Sequence, residues 1–446
     1  MSEGDAGNRA PPRRVADLVA PFWIAHRGMA NVYPENTLEA YRGTVALGID
    51  VVEPDCWLTR DGGLVCLHDA TVERTTDGSG NTDELTVPGA ELLHVDAGTW
   101  FAAAWPNTLR VPTFADVLDE LGGRAVLCPE AKNAGAGRAI VDLLARYGHL
   151  DAAIVQSFTQ AELDPAVAAG GDAMMLTATS IYDPAALRAT GVRYLGLSAA
   201  LPPSLVSPAM AAGLDVVIWV VNRRVDAAPW LASGATGFFS DDPLYLSGRS
   251  PVLTSDPFGQ RTYYHGHLAN SIAGDRGTFS APHTWGYADT SPAYKGALQG
   301  WASPINGAAT GRFGLAFTVH IDRAAAQDGW AGAFLCAADD RSFDDADRHQ
   351  PGLGGYHALL RQSGSLELHI VDHGIATLAS SAATPPIEPA STATLRIDVS
   401  PARVAVTRTD IAPTATVTVA DATHRGGYFH LGRRAAAVRF SDIAIS

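Results

Sequence analysis

The chain contains 446 residues, of which 47% are hydrophobic and 18% are charged, a balance typical of globular domains rather than of disordered or collagen-like chains. Its 32 basic and 47 acidic side chains give a formal net charge of −15, which argues against nucleic-acid binding because such proteins carry a basic surface. The four cysteines do not have the spacing of a metal site, so we expect them to be buried free thiols. The sequence contains no run of about 18 apolar residues, so it predicts no membrane-spanning helix.

Residues 1–20 are polar and predict an N-terminal tail. The tail has no apolar core of the kind that a signal peptide requires, which favours a cytoplasmic protein, with secretion as the alternative.

Residues 21–248 alternate strand-like apolar runs with helix-like segments, a pattern that predicts a (β/α)8 TIM barrel. The strand-like runs are 22–28, 50–59, 64–69, 124–132, 152–158, 172–177, 193–200, 215–222 and 236–242. The second and third runs are joined by a short turn and predict a hairpin. Residues 70–112 do not fit the repeat and predict an inserted loop or small subdomain.

The pattern of apolar and polar residues changes after residue 248. Residues 249–260 predict a linker, and residues 261–446 contain short runs of alternating apolar and polar residues separated by turn residues. This pattern predicts an all-β jelly-roll sandwich.

Three carboxylates fall at the ends of predicted barrel strands, where the functional side chains of such barrels lie. Glu53 and Asp55 are two residues apart and point to the same face, and Glu130 ends the next strand. Carboxylates that share one face repel each other unless a cation neutralises them, and oxygen ligands favour Mg²⁺ or Ca²⁺. A solvated acidic rim, or pairing with arginines, is the alternative.

Two histidines and two cations lie at strand ends of the same mouth. His26 and His68 are suited to act as a general acid and base near neutral pH, although a structural histidine is the alternative for each. Arg27 and Lys132, one of only two lysines in the chain, predict an anion-binding position that suits a phosphate, with surface salt bridges as the alternative.

Taken in order, these motifs resemble the glycerophosphodiester phosphodiesterase family over about residues 21–246. The matching segments are HRG (26–28), PENT (34–37), EPD (53–55), HD (68–69), RTT (74–76), VPTFADVL (111–118), EAK (130–132), QSF (156–158), WVVN (219–222) and FSDDP (239–243). The sequence departs from the family pattern at Pro129, which precedes the EAK motif and affects the expected direction of the Lys132 side chain.

The resemblance implies metal-dependent hydrolysis of glycerophosphodiesters to glycerol phosphate and an alcohol, through a cyclic phosphate. It makes His26 and His68 the acid/base pair. It makes the three carboxylates the ligands of a divalent metal ion, and Arg27 and Lys132 the groups that hold the phosphate. Trp219 would line the glycerol or leaving-group pocket, with core filling as its alternative.

Two residues of the PENT motif have expected supporting functions. Asn36 is expected to cap the following helix, and Glu35 to support the site.

Two other functions stay open at this point. One is a sphingomyelinase-D-like phospholipase, against which the PENT and EAK motifs argue. The other is a carbohydrate-binding protein with an inactive barrel, against which the full set of candidate catalytic residues argues. The C-terminal region weakly resembles concanavalin-A-like and laminin-G-like sandwiches, which implies a carbohydrate-binding or packing module.

Overall fold

The computed structural model describes residues 13–96, 109–249, 278–281, 284–287, 295–300, 311–324, 328–340, 354–372 and 375–446. These form two compact units, one containing the described residues up to 222 together with 226–243, and the other containing 223–225 and 244–446. Part of the predicted tail (1–12), part of the predicted insertion (97–108) and nearly all of the predicted linker (250–260) lie outside the described residues.

Strands and helices alternate along the chain as far as residue 249, a stretch that contains the first unit and the residues 223–225 and 244–249 of the second. From residue 13 to residue 249 the elements are β1 (Phe22–Ala25), α1 (Leu38–Ala46), β2 (Val51–Val52), β3 (Asp55–Leu58), β4 (Leu64–Cys66), α2 (Val87–Glu91), α3 (Phe114–Leu121), β5 (Val126–Leu127), β6 (Glu130–Ala131), α4 (Ala136–Tyr147), β7 (Ile154–Ser157), α5 (Gln160–Ala168), β8 (Asp172–Thr177), α6 (Pro184–Ala189), β9 (Tyr194–Ser198), α7 (Val206–Ala211), β10 (Asp215–Trp219), α8 (Arg224–Ala232), β11 (Gly237–Ser240) and α9 (Pro243–Leu246). Short 3-10 turns cover Val15–Asp17, His26–Gly28, Thr82–Glu84, Leu150–Ala152 and Pro203–Leu205.

Two prolines divide two of the barrel strands into halves. Only Glu53 and Pro54 separate β2 from β3, and only Cys128 and Pro129 separate β5 from β6. A proline has no N–H to donate to the ladder, so the regular pairing is interrupted at these points. The two divided strands nevertheless stay side by side, because the Glu130 N–H donates to the Pro54 carbonyl at 2.9 Å.

Counting each divided strand once, the sheet contains eight parallel strands that pair in a closed ring. Strand β1 pairs with both β11 and β2, β2 pairs with β5, β3 pairs with β6, and β6 through β11 pair in sequence order. Strand β4 runs antiparallel to β3 and forms the predicted hairpin. The predicted (β/α)8 barrel is therefore confirmed.

Apolar side chains from around the ring fill the barrel interior. The buried cluster contains Val15, Phe22, Ile24, Val51, Val126, Cys128, Ile154, Met174, Leu176, Tyr194, Val217 and Phe239. This packing closes the barrel below its mouth, so polar side chains at the carboxyl ends of the strands face one shared opening.

Beyond residue 249, the described part of the second unit is all-β, as predicted. Its strands are β12 (Thr278–Ala281), β13 (Thr284–Tyr287), β14 (Lys295–Gly300), β15 (Phe313–Ala324), β16 (Trp330–Ala337), β17 (Gly355–Arg361), β18 (Ser365–Asp372), β19 (Ile375–Ala383), β20 (Thr392–Ser400), β21 (Arg403–Arg408), β22 (Ala415–Val419), β23 (Tyr428–Arg434) and β24 (Ala436–Ile445). They form a seven-stranded sheet in the order β12-β13-β24-β15-β20-β21-β22 and a six-stranded sheet in the order β14-β23-β16-β17-β18-β19.

The two sheets of the second unit share one apolar core. Alternate residues of β15, such as Phe317 and Val319, belong to the same buried cluster as Ala333 and Leu335 of β16. Because β15 and β16 lie in different sheets, the unit is a sandwich. None of the helices among the described residues of the chain has the length and apolarity needed to cross a membrane.

Candidate active site

A cavity of about 140 Å³ opens at the carboxyl ends of the barrel strands. Its lining residues are His26, Arg27, Glu53, His68, Glu130, Lys132, Gln156, Phe158, Leu176, Trp219, Val220 and Phe239. The structure thus brings seven of the eight predicted site residues to the lining of one cavity, and Asp55, the eighth, is buried against the lining residues Lys132 and Arg27.

The three predicted carboxylates form one buried cluster. Ligand oxygens of Glu53, Asp55 and Glu130 all lie within 4.8 Å of one another. Register explains the grouping, because Asp55 and Glu130 are direct neighbours on β3 and β6 and Glu53 follows the last residue of β2. Burial, followed by repulsion from Asp55, raises the pKa of Glu130 to about 7, and burial with the same repulsion raises the pKa of Glu53 well above its ordinary value.

Two cations approach this cluster from the cavity side. The Lys132 Nζ lies 3.0 Å from Glu130 Oε1 and 3.3 Å from Asp55 Oδ1, and the Arg27 Nε lies 3.5 Å from Asp55 Oδ2. Burial opposes ionisation of Asp55, but Lys132 and Arg27 together hold its pKa below the ordinary value. Pro129 therefore does not turn Lys132 away from the site. Arg27 pairs with Asp55, so the arginine pairing considered as the alternative for these carboxylates occurs together with their clustering.

The HRG motif forms a tight turn that fixes the first histidine. Arg27, Gly28 and Met29 have φ values of 51°, 81° and 67°, all in the left-handed region. The turn points the Arg27 N–H at Glu53 Oε2, to which it donates at 2.7 Å. His26 Nδ1 lies 2.6 Å from Asp241 Oδ1.

The second histidine has a carboxylate partner of its own. His68 Nδ1 lies 2.7 Å from Asp69 Oδ1. Burial lowers the pKa of His68, and this favours the neutral imidazole. In both histidines a carboxylate engages Nδ1 rather than Nε2.

Asn36 forms hydrogen bonds with Asp55, a candidate metal ligand, and does not cap a helix. Its Nδ2 donates to Asp55 Oδ2 at 2.8 Å, and its Oδ1 accepts from the Asp55 N–H and from the Tyr41 hydroxyl. Thr37 is the N-cap of α1, since its hydroxyl accepts from the Ala40 N–H at 3.1 Å. The prediction that Asn36 caps the helix is wrong, because this buried amide satisfies the Asp55 carboxylate.

An aromatic wall faces the charged side of the cavity. Trp219 and Phe158 make an edge-to-face contact with ring centroids 5.5 Å apart. The indole N–H of Trp219 donates to the Gly196 carbonyl at 3.0 Å, which turns an apolar ring surface toward the cavity.

Comparison with known proteins agrees with this geometry. A profile described as the glycerophosphoryl diester phosphodiesterase family matches residues 26–245. A glycerophosphodiester phosphodiesterase of Caldanaerobacter subterraneus subsp. tengcongensis is 30% identical over 237 residues, which cover 50% of this chain and 95% of the relative. The chain belongs to the glycerophosphodiester phosphodiesterase family.

The chain is also similar to two further proteins. A putative glycerophosphodiester phosphodiesterase of Bacillus subtilis is 31% identical over 240 residues, covering 50% of this chain and 96% of the relative. The solved structure of an Oleispira antarctica phosphodiesterase in complex with the product sn-glycerol-3-phosphate shares 25% identity, covers 52% of this chain and 96% of its own, and has a TM-score of 0.48. Membership of the family confirms the prediction of a phosphodiesterase.

Several residues of the site received no function from the sequence. Asn222 donates to Asp241 Oδ2 at 2.6 Å, and Gln156 donates to Glu53 Oε1 at 3.2 Å. Both, like Asp241, stand at carboxyl ends of predicted strands, and that position is the signal that marks them. Arg74 lies outside any strand, and only its place in the RTT segment singles it out.

Proposed function

We propose that the barrel hydrolyses glycerophosphodiesters to glycerol phosphate and an alcohol by two-histidine acid/base catalysis. The observation that carries the proposal is that both histidines line one cavity with Glu53, Glu130 and the two cations. The names of the relatives within the family support the same substrate class.

The carboxylate cluster fits a divalent metal ion, Mg²⁺ or Ca²⁺. It offers only oxygen ligands, which such hard cations prefer. Burial and mutual repulsion raise the pKa values of Glu53 and Glu130, so a cation at this position would relieve an unfavourable charge arrangement. Glu53, Asp55 and Glu130 would hold the ion. When bound, it would supply a positive charge that stabilises negative charge on a phosphoryl group.

Arg27 and Lys132 bind the anionic diester in this proposal. Their side chains are mostly buried, and both line the cavity beside the carboxylates. In such a partly dry site their charges stabilise the growing negative charge on the phosphoryl oxygens more strongly than they would in water.

The histidines move the protons. One imidazole takes the proton of the glycerol hydroxyl next to the ester, and the other protonates the departing alkoxide. The deprotonated oxygen attacks phosphorus as the alcohol leaves, which forms a cyclic phosphate. Water then opens this cyclic phosphate to glycerol phosphate while the two imidazoles exchange the acid and base functions, which restores their starting protonation. Trp219, with Phe158, provides the apolar surface against which the carbon chain of the glycerol or of the leaving group packs.

The test is a direct assay of product release. Glycerophosphocholine is incubated with the full chain, and glycerol 3-phosphate and choline are both measured, with and without EDTA. We expect both products in equal amounts, and we expect EDTA to abolish their release and added Mg²⁺ or Ca²⁺ to restore it. A chain that releases neither product with either metal would contradict the proposal.

Histidine variants test the acid/base assignment. We expect His26→Ala and His68→Ala each to lower turnover by about 10²–10⁴-fold, the usual contribution of positioned proton transfer. His149→Ala is the control, because the half-buried His149 lies between α4 and the Leu150–Ala152 turn and does not line the cavity. Near-normal turnover in either active-site variant would refute the assignment.

For the second unit we propose an accessory function, the binding of carbohydrate. The support is the observed two-sheet sandwich, which is the architecture that the sequence resemblance implied. Retardation of the full chain in native gels containing soluble polysaccharides tests the proposal, and unchanged mobility in every polysaccharide would contradict it.

A further inference from the structure

Arg74 lies at the centre of a chain of ion pairs that joins two residues of the cavity lining, Arg27 and His68. Its Nη2 and Nη1 donate to the two carboxylate oxygens of Glu35 at 2.7 and 3.0 Å. Its Nε and Nη2 donate to the two oxygens of Asp69. One guanidinium group therefore binds two carboxylates in a fixed planar geometry that no other side chain can reproduce.

Each carboxylate in turn contacts a residue of the active site. Glu35 Oε1 also accepts from Arg27 Nη1 at 3.0 Å, so this one oxygen is shared by two arginines. Asp69 Oδ1 lies 2.7 Å from His68 Nδ1. The resulting order of contacts is Arg27, Glu35, Arg74, Asp69 and His68.

The chain is anchored at both of its carboxylates. Glu35 is only 7% exposed, and its pKa is lowered because hydrogen bonding and charge from the arginines outweigh the effect of burial. The pKa of Asp69 falls to about 2 because hydrogen bonds from Arg74 and His68 outweigh burial. The Thr82 hydroxyl also donates to the Asp69 carbonyl at 2.8 Å. Both carboxylates are therefore ionised and held in place at neutral pH.

We propose that Arg74 is a positioning residue that fixes the phosphate-binding Arg27 and the proton-transferring His68 relative to each other, through Glu35 and Asp69. The inference rests on the proposed function, because it assigns Arg74 to the same reaction. Arg27 binds the substrate anion and His68 transfers a proton, so loss of Arg74 affects both KM and kcat. A structural salt bridge would affect stability alone.

Steady-state kinetics of choline release from glycerophosphocholine test the proposal. We expect Arg74→Met to lower kcat/KM by about 10–100-fold, the usual effect of removing a group that orients an active-site side chain. The loss should divide between a lower kcat and a higher KM. Arg74→Lys should recover only part of it, because an ammonium group cannot bind both carboxylates bidentately.

Arg42→Met is the matched control. Arg42 is 47% exposed and Arg74 42%, and Arg42 Nη2 pairs with Glu120 at 2.9 Å on the outer side of α1. We expect its kcat and KM to stay within twofold of the wild type. Thermal unfolding of all variants shows whether the folded fraction accounts for any change. Arg74→Met with wild-type kcat and KM would overturn the proposal, as would a loss that disappears after correction for unfolded protein.

A double variant tests the pathway through Asp69. If Arg74 acts on His68 through Asp69, kcat of Arg74→Met/Asp69→Asn should be no lower than kcat of the poorer single variant. Multiplication of the two single losses would contradict the pathway. Failure of the proposed function is distinguishable, because the wild-type chain itself would then release no choline.

Discussion

His26 and Asp241 stand 215 positions apart in the sequence, and the imidazole Nδ1 lies 2.6 Å from the carboxylate Oδ1. Asp241 is itself fixed by Asn222, whose Nδ2 donates to Oδ2 at 2.6 Å and whose Oδ1 accepts from the Asp241 N–H at 2.8 Å. Strands β1 and β11 are direct neighbours in the barrel, and this pairing brings the two residues together. The contact fixes the orientation of the imidazole ring, and in the proposed mechanism Nε2 is then the nitrogen that transfers the proton.

We predict that Asp241→Asn lowers kcat by about 10²-fold or more, with little change in the folded fraction. An asparagine can donate to Nδ1 instead of accepting from it, which favours the tautomer with the proton on Nε2. Turnover of glycerophosphocholine measures the effect. Asp215→Asn is the control, because Asp215 pairs with Arg193 at the opposite end of the barrel strands. Equal activity of the two variants would contradict the orienting function of Asp241.

The carboxylate cluster predicts that a divalent cation stabilises the folded chain. A ligand that binds only the folded state adds about 2.7 kcal/mol at a concentration 100 times its Kd. We expect Ca²⁺ or Mg²⁺ to raise Tm of the wild type and to have little effect on Tm of Glu130→Gln. Differential scanning calorimetry in EDTA and in each metal measures the shift.

Glu39→Gln is the control for this experiment. Glu39 is a half-exposed carboxylate on α1 that pairs with Arg42 at 3.7 Å, away from the cluster. Its metal-dependent rise in Tm should equal that of the wild type. Identical shifts in the Glu130 and Glu39 variants would show that the cation binds elsewhere.

The turn after His26 requires glycine at position 28. Its φ of 81° is unfavourable for other residues, and an added Cβ would lie 2.8 Å from Ala40 Cβ and 2.9 Å from Tyr41 Cδ1. We predict that Gly28→Ala lowers the free energy of unfolding by about 2–4 kcal/mol, from backbone strain together with overpacking. It should also lower activity, because the same turn carries His26 and Arg27. Urea unfolding measures the first effect and choline release the second.

Gly48→Ala separates strain from crowding. Gly48 has a φ of 79°, but an added Cβ would meet no atom within 4 Å. We expect a smaller loss of about 1–2 kcal/mol, the cost of the left-handed backbone alone, with normal activity. Equal losses in the two variants would mean that packing against Ala40 and Tyr41 contributes nothing.

Glu367 in the second unit predicts a pH-dependent contribution to stability. Its carboxylate accepts from Arg361 Nε at 2.6 Å and from the Ser365 hydroxyl at 2.8 Å, and it lies 3.0 Å from His369 Nε2. Burial opposes ionisation, but these hydrogen bonds lower the pKa of Glu367 from 4.5 to about 2. A carboxyl with a lowered folded-state pKa stabilises the fold above its unfolded value and loses that contribution as the pH falls toward 2.

We therefore expect Glu367→Gln to lower the free energy of unfolding by about 1.5–3 kcal/mol at pH 7, the usual range for hydrogen bonds to charged groups. The difference from the wild type should shrink between pH 4.5 and pH 2. Urea unfolding across this range measures it. Glu388→Gln, at an exposed position, should show no such trend. A difference that stays constant with pH would contradict the assignment.

The sequence by itself determined the barrel, the all-β second unit and the set of candidate catalytic residues. Local patterns carry this information, because strands and helices have fixed periods and because the carboxyl ends of barrel strands always meet at one mouth. Glu53, Asp55 and Glu130 could be grouped in this way before any coordinates were known.

Only the tertiary structure decided which supporting side chain contacts which residue of the site. Asn36 and Thr37 are both good capping residues, and the buried Asp55 carboxylate, 19 positions away, takes the Asn36 amide and leaves the cap to Thr37. Arg74 meets Glu35 across 39 positions of chain. Such pairings depend on how the barrel closes and on the course of its loops. The local periodicity of the sequence predicts strands and helices, but it does not predict the distance between two loops.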